Sequence, residues 1–300
     1  MKSTPLISVV MPAKNGERYI KESINSVIAQ SMPDFELIIV NDGSTDNSSE
    51  IARSYKDKRV KVIDLTESIG CYPARNVGIK NVTGKYICMM DADDISLPYR
   101  LESHYRFLEE HIEFGMVYGI NQYYPGNRSF FRESDYENIK VLFLEQCYLC
   151  HAASMVRASL VKKHDLFYNE TYTYASDYEW QVRALSLFPV SVINELVYLY
   201  RVHSEQISAQ KRFEQDAFAD QVRLQQLSFF GIKPTETEKM LHLSFLKGIA
   251  DHRINAKMID LWIDRLLEAN GRMQYYSQRK LQNFLHAHRY IYINQCISAD

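Results

Sequence analysis

Short apolar runs alternate with amphipathic segments along the first third of the chain. The runs cover residues 6–11, 35–40, 60–65 and 86–90. Each is bounded by turn-forming residues and is typical of a buried strand. Ile20, Ile24 and Val27 follow one another at helical spacing, which predicts a helix over 17–30, and a further helix is predicted over 74–81. Strands that alternate with helices predict an α/β fold with a parallel, doubly wound sheet.

The rest of the chain is less regular up to about residue 205 and helical beyond it. Strands are predicted at 114–118, 152–156, 190–193 and 196–202, helices at 136–145 and 176–187, and a polar loop at 122–135. The helical pattern of the last part is broken once, at Gly231–Pro234. We therefore predict a domain of residues 1–205 and a helical C-terminal extension of residues 206–300.

Polar residues follow three of the predicted strands at their carboxyl ends. Pro12-Ala13-Lys14 follows the first strand, Asp42 the second and Asp91-Ala92-Asp93 the fourth. Doubly wound sheets bind ligands beyond the carboxyl ends of their strands. We therefore expect these clusters to meet at one edge of the sheet and to form a ligand site.

The carboxylates of Asp91 and Asp93 indicate a metal site. Side chains alternate along an extended segment, so the two carboxylates point the same way and repel each other unless a cation lies between them. Mg²⁺ and Mn²⁺ prefer such oxygen ligands and often bridge to phosphates. The alternative is a solvated acidic turn that caps a helix starting near Leu97.

Composition narrows the class of protein. The 300-residue chain carries a net charge of −2, so no global basic field draws it to nucleic acid. Its five cysteines are scattered and odd in number, which fits a reducing compartment. The apolar stretch 6–11 is too short for a signal peptide, and no run is long enough to span a bilayer. We expect a cytoplasmic protein that is soluble or peripherally attached to the membrane.

One motif points to different chemistry. Cys147-Tyr148-Leu149-Cys150-His151 has the spacing of covalent haem attachment, but it lies in an apolar segment of a chain without an export signal. Zinc would need a second pair of ligands, and a redox motif would need a thioredoxin-like turn. We therefore expect Cys147 and Cys150 in the core, and His151 near the substrate cleft.

Three further residues allow a functional and a structural interpretation. Asp42 either accepts a hydrogen bond from a nucleotide base or caps the next helix. Arg75 either contacts a nucleotide or phosphate bidentately or forms a surface ion pair. His203, which follows the strand predicted at 196–202, is a metal ligand, a contact of the diphosphate or a structural hydrogen-bonding residue.

Asp177 is the candidate general base. With Ser176 as the expected N-cap, Asp177 falls in the first helical turn, on the same face as Trp180 and Gln181. An exposed Trp180 would support the apolar face of a sugar while the carboxylate takes a hydroxyl proton. Glu179 is an alternative base. The structural interpretation is an aspartate that stabilises the helix dipole.

Several motifs together resemble family 2 glycosyltransferases. They are Ile7–Pro12, Gln30-Ser31, Glu36–Asp46, Ala74-Arg75-Asn76, Gly84–Ile87, Met90–Asp94, Ser176–Trp180 and Leu196–His203. The match covers about the first 205 residues. It implies the GT-A fold, with a Rossmann-like, mostly parallel sheet flanked by helices, in an enzyme that inverts the anomeric centre. It also implies a nucleotide-binding half, residues 1–95, and an acceptor half, residues 96–205.

The resemblance implies a role for each candidate residue. A nucleotide-sugar donor, most often a UDP-sugar, would contact residues of the first half. These are Pro12, Ala13, Asn15, Asp42, Arg75, Asp91 and Ala92. Asp93 and His203 would ligate Mn²⁺ or Mg²⁺, and Asp177 would be the catalytic base. The residues expected near the acceptor are His151, Trp180 and Glu179.

The acceptor and two other protein classes stay open. The second half is most similar to bacterial enzymes that extend lipooligosaccharide or capsular glycans, which implies a glycan or glycolipid acceptor. Ser176 replaces a usual glutamate, and His151–Ser154 lacks a usual glycine, so acceptor specificity is undetermined.

A sugar nucleotidyltransferase would need a better triphosphate loop than Lys14–Arg18. A non-catalytic nucleotide-sugar-binding subunit would bind the donor without transferring sugar.

The C-terminal extension also allows two interpretations. Its aromatic and basic residues either form an interfacial face near a lipid-linked acceptor, or pack on the core or in a homodimer, and we favour the second. The residues are Arg272, Tyr275, Tyr276, Arg279, Lys280, Phe284, Arg289, Tyr290 and Tyr292.

Overall fold

The computed structural model describes residues 4–129 and 133–299. The chain divides into two compact units. One holds residues up to Ser134 together with Leu149–Arg212, and the other holds Asp135–Tyr148 and the residues from Phe213 onward. Part of the predicted polar loop, residues 130–132, lies outside the described residues.

Eight strands of the described residues form one sheet in the first unit. In chain order they are β1 (Ile7–Ala13), β2 (Phe35–Asn41), β3 (Val60–Asp64), β4 (Tyr86–Met89), β5 (Ile95–Ser96), β6 (Met116–Tyr124), β7 (Ser154–Arg157) and β8 (Val190–Arg201). Across the sheet their order is β3-β2-β1-β4-β7-β6-β8-β5. The first four strands pair in parallel, as predicted. β7 runs antiparallel to β4 and β6, so the sheet as a whole is mixed.

Helices flank this sheet and make up the second unit. They are α1 (Ile20–Ile28), α2 (Ser48–Ser54), α3 (Cys71–Lys80), α4 (Arg100–Glu110), α5 (Tyr136–Leu142), α6 (Ala158–Lys163), α7 (Ser176–Leu187), α8 (Ile207–Gln210), α9 (Arg212–Gln225), α10 (Glu236–Lys247), α11 (Ala256–Met273) and α12 (Gln278–Ala299). Short 3₁₀ helices cover His151–Ala153 and Gln226–Phe230. None of the described helices is both long enough and apolar enough to cross a membrane.

Three boundaries differ from the predictions. β8 is one strand rather than two, because its ladder with β6 continues past an irregularity between Val192 and Leu196. β6 extends into the predicted polar loop, because its polar end pairs with β8 as far as Arg201. α3 begins at Cys71 rather than Ala74, since the bond from Ala74 N to Gly70 O already closes a helical turn.

Close packing fixes α3 against the sheet. A Cβ on Gly78 of this helix would lie 2.4 Å from Cγ1 of Val10 on β1 and 3.3 Å from Cγ2 of Val40 on β2. Only a hydrogen atom fits there, so the helix backbone approaches both strands closely. The first turns of α3, which carry Tyr72 and Arg75, are thereby held to the parallel half of the sheet.

The second unit has its own apolar core. Trp262, Phe245 and Leu285 are fully or almost fully buried in it. Val141 and Leu144 belong to the same core, which explains why residues 135–148 group with this unit although the sequence pattern assigned them to the first domain.

The aromatic residues of the C-terminal extension are largely internal to that unit. Tyr276, Phe284 and Tyr292 are buried in its core, and the Arg289 guanidinium pairs with Asp260. Tyr290 is 71% exposed. The interpretation that these side chains pack on a core thus holds for the three buried ones.

Candidate active site

Three neighbouring strands bring the predicted polar clusters to one edge of the sheet. β2, β1 and β4 lie side by side and run parallel, so their carboxyl ends share that edge. Pro12 and Ala13 end β1 and are buried, Asp42 follows β2, and Asp91 comes shortly after β4. The structure confirms the convergence that the strand pattern predicted.

Asp42 holds the loop that leads into α3. Its carboxylate is 2% exposed. Its Oδ1 accepts a hydrogen bond from Ile69 N at 2.7 Å, and its Oδ2 accepts from Ser68 Oγ at 2.8 Å and Gly70 N at 3.0 Å. The helix-capping interpretation for α2 is wrong, because that helix begins only at Ser48. Recognition of a base by Asp42 stays a prediction.

The loops after β1 and β2 are hydrogen-bonded to each other. Asn15 Oδ1 accepts from Thr45 N at 2.9 Å, and Asn15 N donates to Ser44 Oγ at 3.0 Å. Lys14 Nζ donates to Ser68 Oγ at 2.8 Å, on the loop that Asp42 holds. The residues predicted to surround a nucleotide base are therefore linked into one rim.

Arg75 pairs with Asp91 inside the protein. Its guanidinium Nη2 forms a short ion pair with Asp91 Oδ1, and the residue is only 5% exposed. The rings of Tyr72 and Tyr168 lie 6.0 Å and 5.7 Å from the guanidinium carbon. The prediction of a surface ion pair is wrong, because these rings and the helix bury the arginine. A buried cation at the sheet edge suits an anionic ligand.

The second cluster joins Asp93 to His203. His203 Nε2 lies 2.9 Å from Asp93 Oδ2. Arg201 makes this approach possible: its backbone N donates to Asp94 Oδ1 at 2.7 Å, and its Nε donates to Asp93 O at 2.7 Å. Both bonds tie the end of β8 to the turn after β4. Ala92 belongs to the same turn, and its carbonyl accepts from Ser23 Oγ at 2.8 Å.

Asp93 and His203 together fit a divalent cation whose remaining ligands come from bound phosphates and water. Burial, and then the Asp91 charge, raise the pKa of the Asp93 carboxyl, although the bond to His203 lowers it. A cation would stabilise that half-buried carboxylate. The described residues contain no group of three metal-ligating side chains. Mg²⁺ and Mn²⁺ sites often have one or two protein ligands and take the others from phosphates and water.

Asp177 lies in the first turn of α7 and meets a residue of α3. Tyr72 Oη donates a hydrogen bond to Asp177 Oδ1 at 2.9 Å. The predicted N-cap, Ser176, is wrong: Ala175 occupies that position with a φ of 55°, and Ser176 Oγ donates to Asn169 O at 3.0 Å. Asp177 is partly exposed, as a residue that exchanges a proton with a substrate must be.

Trp180 and Glu179 point away from solvent. Trp180 is fully buried, and its Nε1 donates to Leu166 O at 2.9 Å. Glu179 is 2% exposed and pairs with Arg183, with 2.7 Å between Oε1 and Nε. The predictions of an exposed tryptophan beneath a sugar and of Glu179 as an alternative base or acceptor contact are therefore wrong, because both side chains belong to the interior of the unit.

His151 is also buried. It is 4% exposed, and its Nε2 is hydrogen-bonded to Tyr168 Oη. Burial, with the charge of Arg75, lowers its pKa well below the usual value and keeps the imidazole neutral. The predicted acceptor contact of His151 is therefore wrong. Burial raises the pKa of the Cys150 thiol to about 12, so this part of the haem-like motif is a protonated core thiol.

Sequence reasoning missed four residues of this region. Tyr72 bonds Asp177, Asp94 and Arg201 anchor the turn that carries Asp93, and Tyr198 Oη accepts a hydrogen bond from Asp91 N at 3.1 Å. For Tyr72 the only signal was its place between Gly70 and Arg75. Asp94, Tyr198 and Arg201 lie within the motifs Met90–Asp94 and Leu196–His203, but no role was predicted for them, because their roles depend on contacts between segments about a hundred residues apart.

The comparisons with known proteins agree with one another. The model of Glycosyl transferase family 2 matches residues 8–165. An uncharacterized glycosyltransferase of Haemophilus influenzae is 30% identical over 246 residues, which are 77% of this chain and 76% of the relative.

Solved structures share the fold over nearly the whole chain. TarS of S. aureus in complex with UDP-GlcNAc aligns with a TM-score of 0.66 at 21% identity, covering 97% of this chain and 89% of TarS residues 1–349. The mannosyltransferase PcManGT of Pyrobaculum calidifontis, in complex with GDP-Man and Mn²⁺, aligns with a TM-score of 0.60 at 15% identity, covering 99% and 88%. The fold is therefore GT-A, and the family match shows that this chain is a family 2 glycosyltransferase.

Proposed function

We propose that the enzyme is a metal-dependent, inverting glycosyltransferase that moves a sugar from a UDP-sugar to a hydroxyl group of a glycan or glycolipid. One observation carries this proposal. The Asp93–His203 pair lies on the same turn as Asp91, two residues away, and a series of contacts runs from Asp91 through Arg75 and Tyr72 to Asp177. It would connect a cation, a diphosphate and a general base, the three elements that sugar transfer from a nucleotide requires.

The donor would occupy the rim at the ends of β1, β2 and β4. Pro12, Ala13, Asn15 and Asp42 would line the base pocket. The Asp42 carboxylate already accepts hydrogen bonds from the loop before α3. A base bound to the same carboxylate would therefore also be coupled to the order of that loop. Arg75, Asp91 and Ala92 would lie toward the ribose and diphosphate. The complex of TarS with UDP-GlcNAc supports a uridine nucleotide.

Asp93 and His203 would hold Mn²⁺ or Mg²⁺. His203 Nε2 and Asp93 Oδ2 lie 2.9 Å apart, and partial burial with the nearby Asp91 charge raises the pKa of Asp93, so a cation would stabilise its ionised form. The complex of PcManGT with Mn²⁺ supports this assignment. When bound, the cation would offset the negative charge that builds up on the departing diphosphate.

Asp177 would act as the general base. As the acceptor oxygen forms its bond to C1 of the sugar, Asp177 takes the proton of that hydroxyl. The bond between C1 and the diphosphate oxygen breaks, and its electron pair leaves with the nucleoside diphosphate. Attack from the face opposite the leaving group inverts C1. A carboxylate that is hydrogen-bonded on one oxygen can accept the proton on the other.

The acceptor is proposed to belong to bacterial surface polysaccharide or lipooligosaccharide synthesis. This proposal rests on the similarity of the second half of the sequence to enzymes of that kind. Of the two other classes, a sugar nucleotidyltransferase is not favoured, because the family match is to glycosyltransferases. A non-catalytic subunit would bind the donor but release no UDP in the presence of any acceptor.

A thermal-shift screen tests the donor class. UDP-, GDP-, dTDP- and CMP-sugars are compared with and without Mn²⁺. A ligand that binds only the folded protein stabilises it by about 2.7 kcal/mol at a hundred times its Kd. We expect the largest rise in Tm with a UDP-sugar plus Mn²⁺. A larger rise with a GDP-sugar would replace the proposed donor, and equal rises with and without Mn²⁺ would argue against a metal-held diphosphate.

His203→Ala is expected to weaken the affinity for the metal without abolishing transfer. Asp93 would still hold the cation, but loss of one of two protein ligands should raise the Mn²⁺ concentration for half-maximal activity by roughly 10- to 100-fold. The measurement is a Mn²⁺ titration of UDP release. His252→Ala is the matched control, because that imidazole is 94% exposed and lies in the second unit. A titration curve like that of the control would remove His203 from the metal site.

A further inference from the structure

Tyr72 links the two halves of the candidate active site. It lies in the first turn of α3, which follows the loop held by Asp42. Its hydroxyl donates to Asp177 Oδ1 at 2.9 Å, although the two residues are 105 positions apart in the sequence. The residue proposed as the base is thus held from the nucleotide side of the site as well as by its own helix.

The Tyr72 side chain is itself held in place. Its ring stacks on Tyr168, with 5.6 Å between ring centroids and an interplanar angle of 26°. Tyr168 in turn stacks on the buried ring of Trp180 at 5.8 Å and 25°. Because Trp180 belongs to the same helix as Asp177, the stack and the hydrogen bond connect α3 to α7 at two points. The hydroxyl therefore has a defined position relative to the carboxylate.

The direction of the hydrogen bond is also fixed. Burial raises the pKa of the Tyr72 hydroxyl well above its usual value, and the Asp177 charge raises it further. The hydroxyl therefore keeps its proton and donates it to the carboxylate. The other ionisable groups around the pair are Cys71, Arg75 and Tyr168. None of these turns Tyr72 into an acceptor near neutral pH, because Arg75 stays protonated and the thiol and phenol stay neutral.

We propose that Tyr72 is a positioning residue for the general base, an inference that rests on the proposed role of Asp177. By engaging Oδ1, the tyrosine orients the carboxylate so that Oδ2 faces the acceptor hydroxyl. Its ring lies 6.0 Å from the Arg75 guanidinium. Tyr72 thus also fixes the position of the Asp177 carboxylate relative to the Arg75–Asp91 ion pair on the donor side.

Tyr72→Phe tests this inference because it removes the hydroxyl and keeps the stacked ring. Initial rates of UDP release are measured from UDP-GlcNAc with a panel of para-nitrophenyl glycosides. We expect kcat to fall roughly tenfold, the value of one charge-assisted hydrogen bond, with the donor KM unchanged. The loss should fall on kcat and kcat/KM alike, because the tyrosine would act on the base in the transition state and not on donor binding.

Tyr55→Phe is the matched control. Like that of Tyr72, the Tyr55 hydroxyl is hydrogen-bonded within the protein. Its partners are Lys21 O at 3.0 Å and Asn25 Oδ1 at 2.8 Å, and both belong to α1, outside the site. It should leave kcat and the donor KM unchanged. A purely structural role of Tyr72 would instead lower Tm in Tyr72→Phe without a selective loss of kcat.

Asp177→Asn, measured in parallel, separates this inference from the function on which it rests. If Asp177→Asn abolishes transfer while Tyr72→Phe behaves like Tyr55→Phe, the positioning role falls and the proposed base remains. If Asp177→Asn transfers sugar normally, or the wild-type enzyme transfers to none of the glycosides, the proposed function falls and this inference falls with it. In the Asp177→Asn background, Tyr72→Phe should cause no further loss, because both changes act on the same step.

Discussion

Asp93→Ala is expected to abolish sugar transfer at every Mn²⁺ concentration. Asp93 would supply the anionic ligand of the cation, and its carboxylate lies 2.9 Å from the imidazole of His203, the other proposed ligand. A cation that offsets developing phosphate charge contributes several kcal/mol, so we expect a loss of roughly a thousandfold or more in kcat/KM. Added Mn²⁺ should not restore the rate, in contrast to His203→Ala, for which excess Mn²⁺ should compensate. UDP release at increasing Mn²⁺ concentrations measures both.

Asp34→Ala is the matched control for this change. Asp34 is exposed, and the bond that it makes to the sheet uses its backbone carbonyl, which accepts from Ile7 N. The control should keep normal activity and Tm. If Asp93→Ala also kept normal activity, Asp93 would not belong to the metal site. A loss that high Mn²⁺ reverses would make Asp93 an auxiliary ligand.

Strand periodicity predicted the donor side of this site because the relevant information is local. Each of β1, β2 and β4 is a short apolar run that ends at polar residues. Because the three strands lie side by side and run parallel, those ends meet at one edge of the sheet. The strand ends alone therefore predict that Asp42 and Asp91 lie at the same edge of the sheet. His203 was a candidate metal ligand from its place after a predicted strand, and the family resemblance placed it with Asp93, but no local pattern could show that the two approach each other, since they are 110 positions apart.

The acceptor side was predicted less well because it depends on contacts between distant segments. Helical spacing correctly placed Asp177 and Trp180 in the same helix but could not tell which of them faces the core. The structure buries Trp180 and brings Tyr72, from another helix, to the carboxylate instead. His151 was likewise expected near the cleft, and the neighbouring rings of Tyr168 and Trp180 enclose it.

Element boundaries failed where tertiary pairing outweighed local sequence preference. Asn194 and Glu195 look like a turn, so the sequence predicted two strands around them. In the structure β8 bulges there and resumes its pairing with β6 at Leu196. That continuation has a functional consequence, because the resumed strand carries Arg201 to the Asp93–Asp94 turn and so brings His203 to Asp93.

Asp177→Asn should preserve nucleotide binding and abolish transfer. The asparagine has nearly the same shape, and its carbonyl oxygen can still accept the hydrogen bond from Tyr72, so the link between α3 and α7 remains. A neutral amide cannot take the acceptor proton. Because the lost interaction operates in the transition state, kcat should fall by roughly 10²- to 10⁴-fold while UDP affinity stays the same. Initial rates and calorimetric titration with UDP measure the two quantities separately.

The pattern of the losses decides which role Asp177 plays. If UDP affinity fell together with kcat, Asp177 would be a donor-site or structural residue, because a base for the acceptor hydroxyl does not contact the nucleotide. Asp177→Ala distinguishes these two roles: it also removes the acceptor of the Tyr72 hydrogen bond, so a structural residue would lower Tm further than in Asp177→Asn. A general base would instead give equal losses of kcat in both variants, since neither side chain can accept the proton.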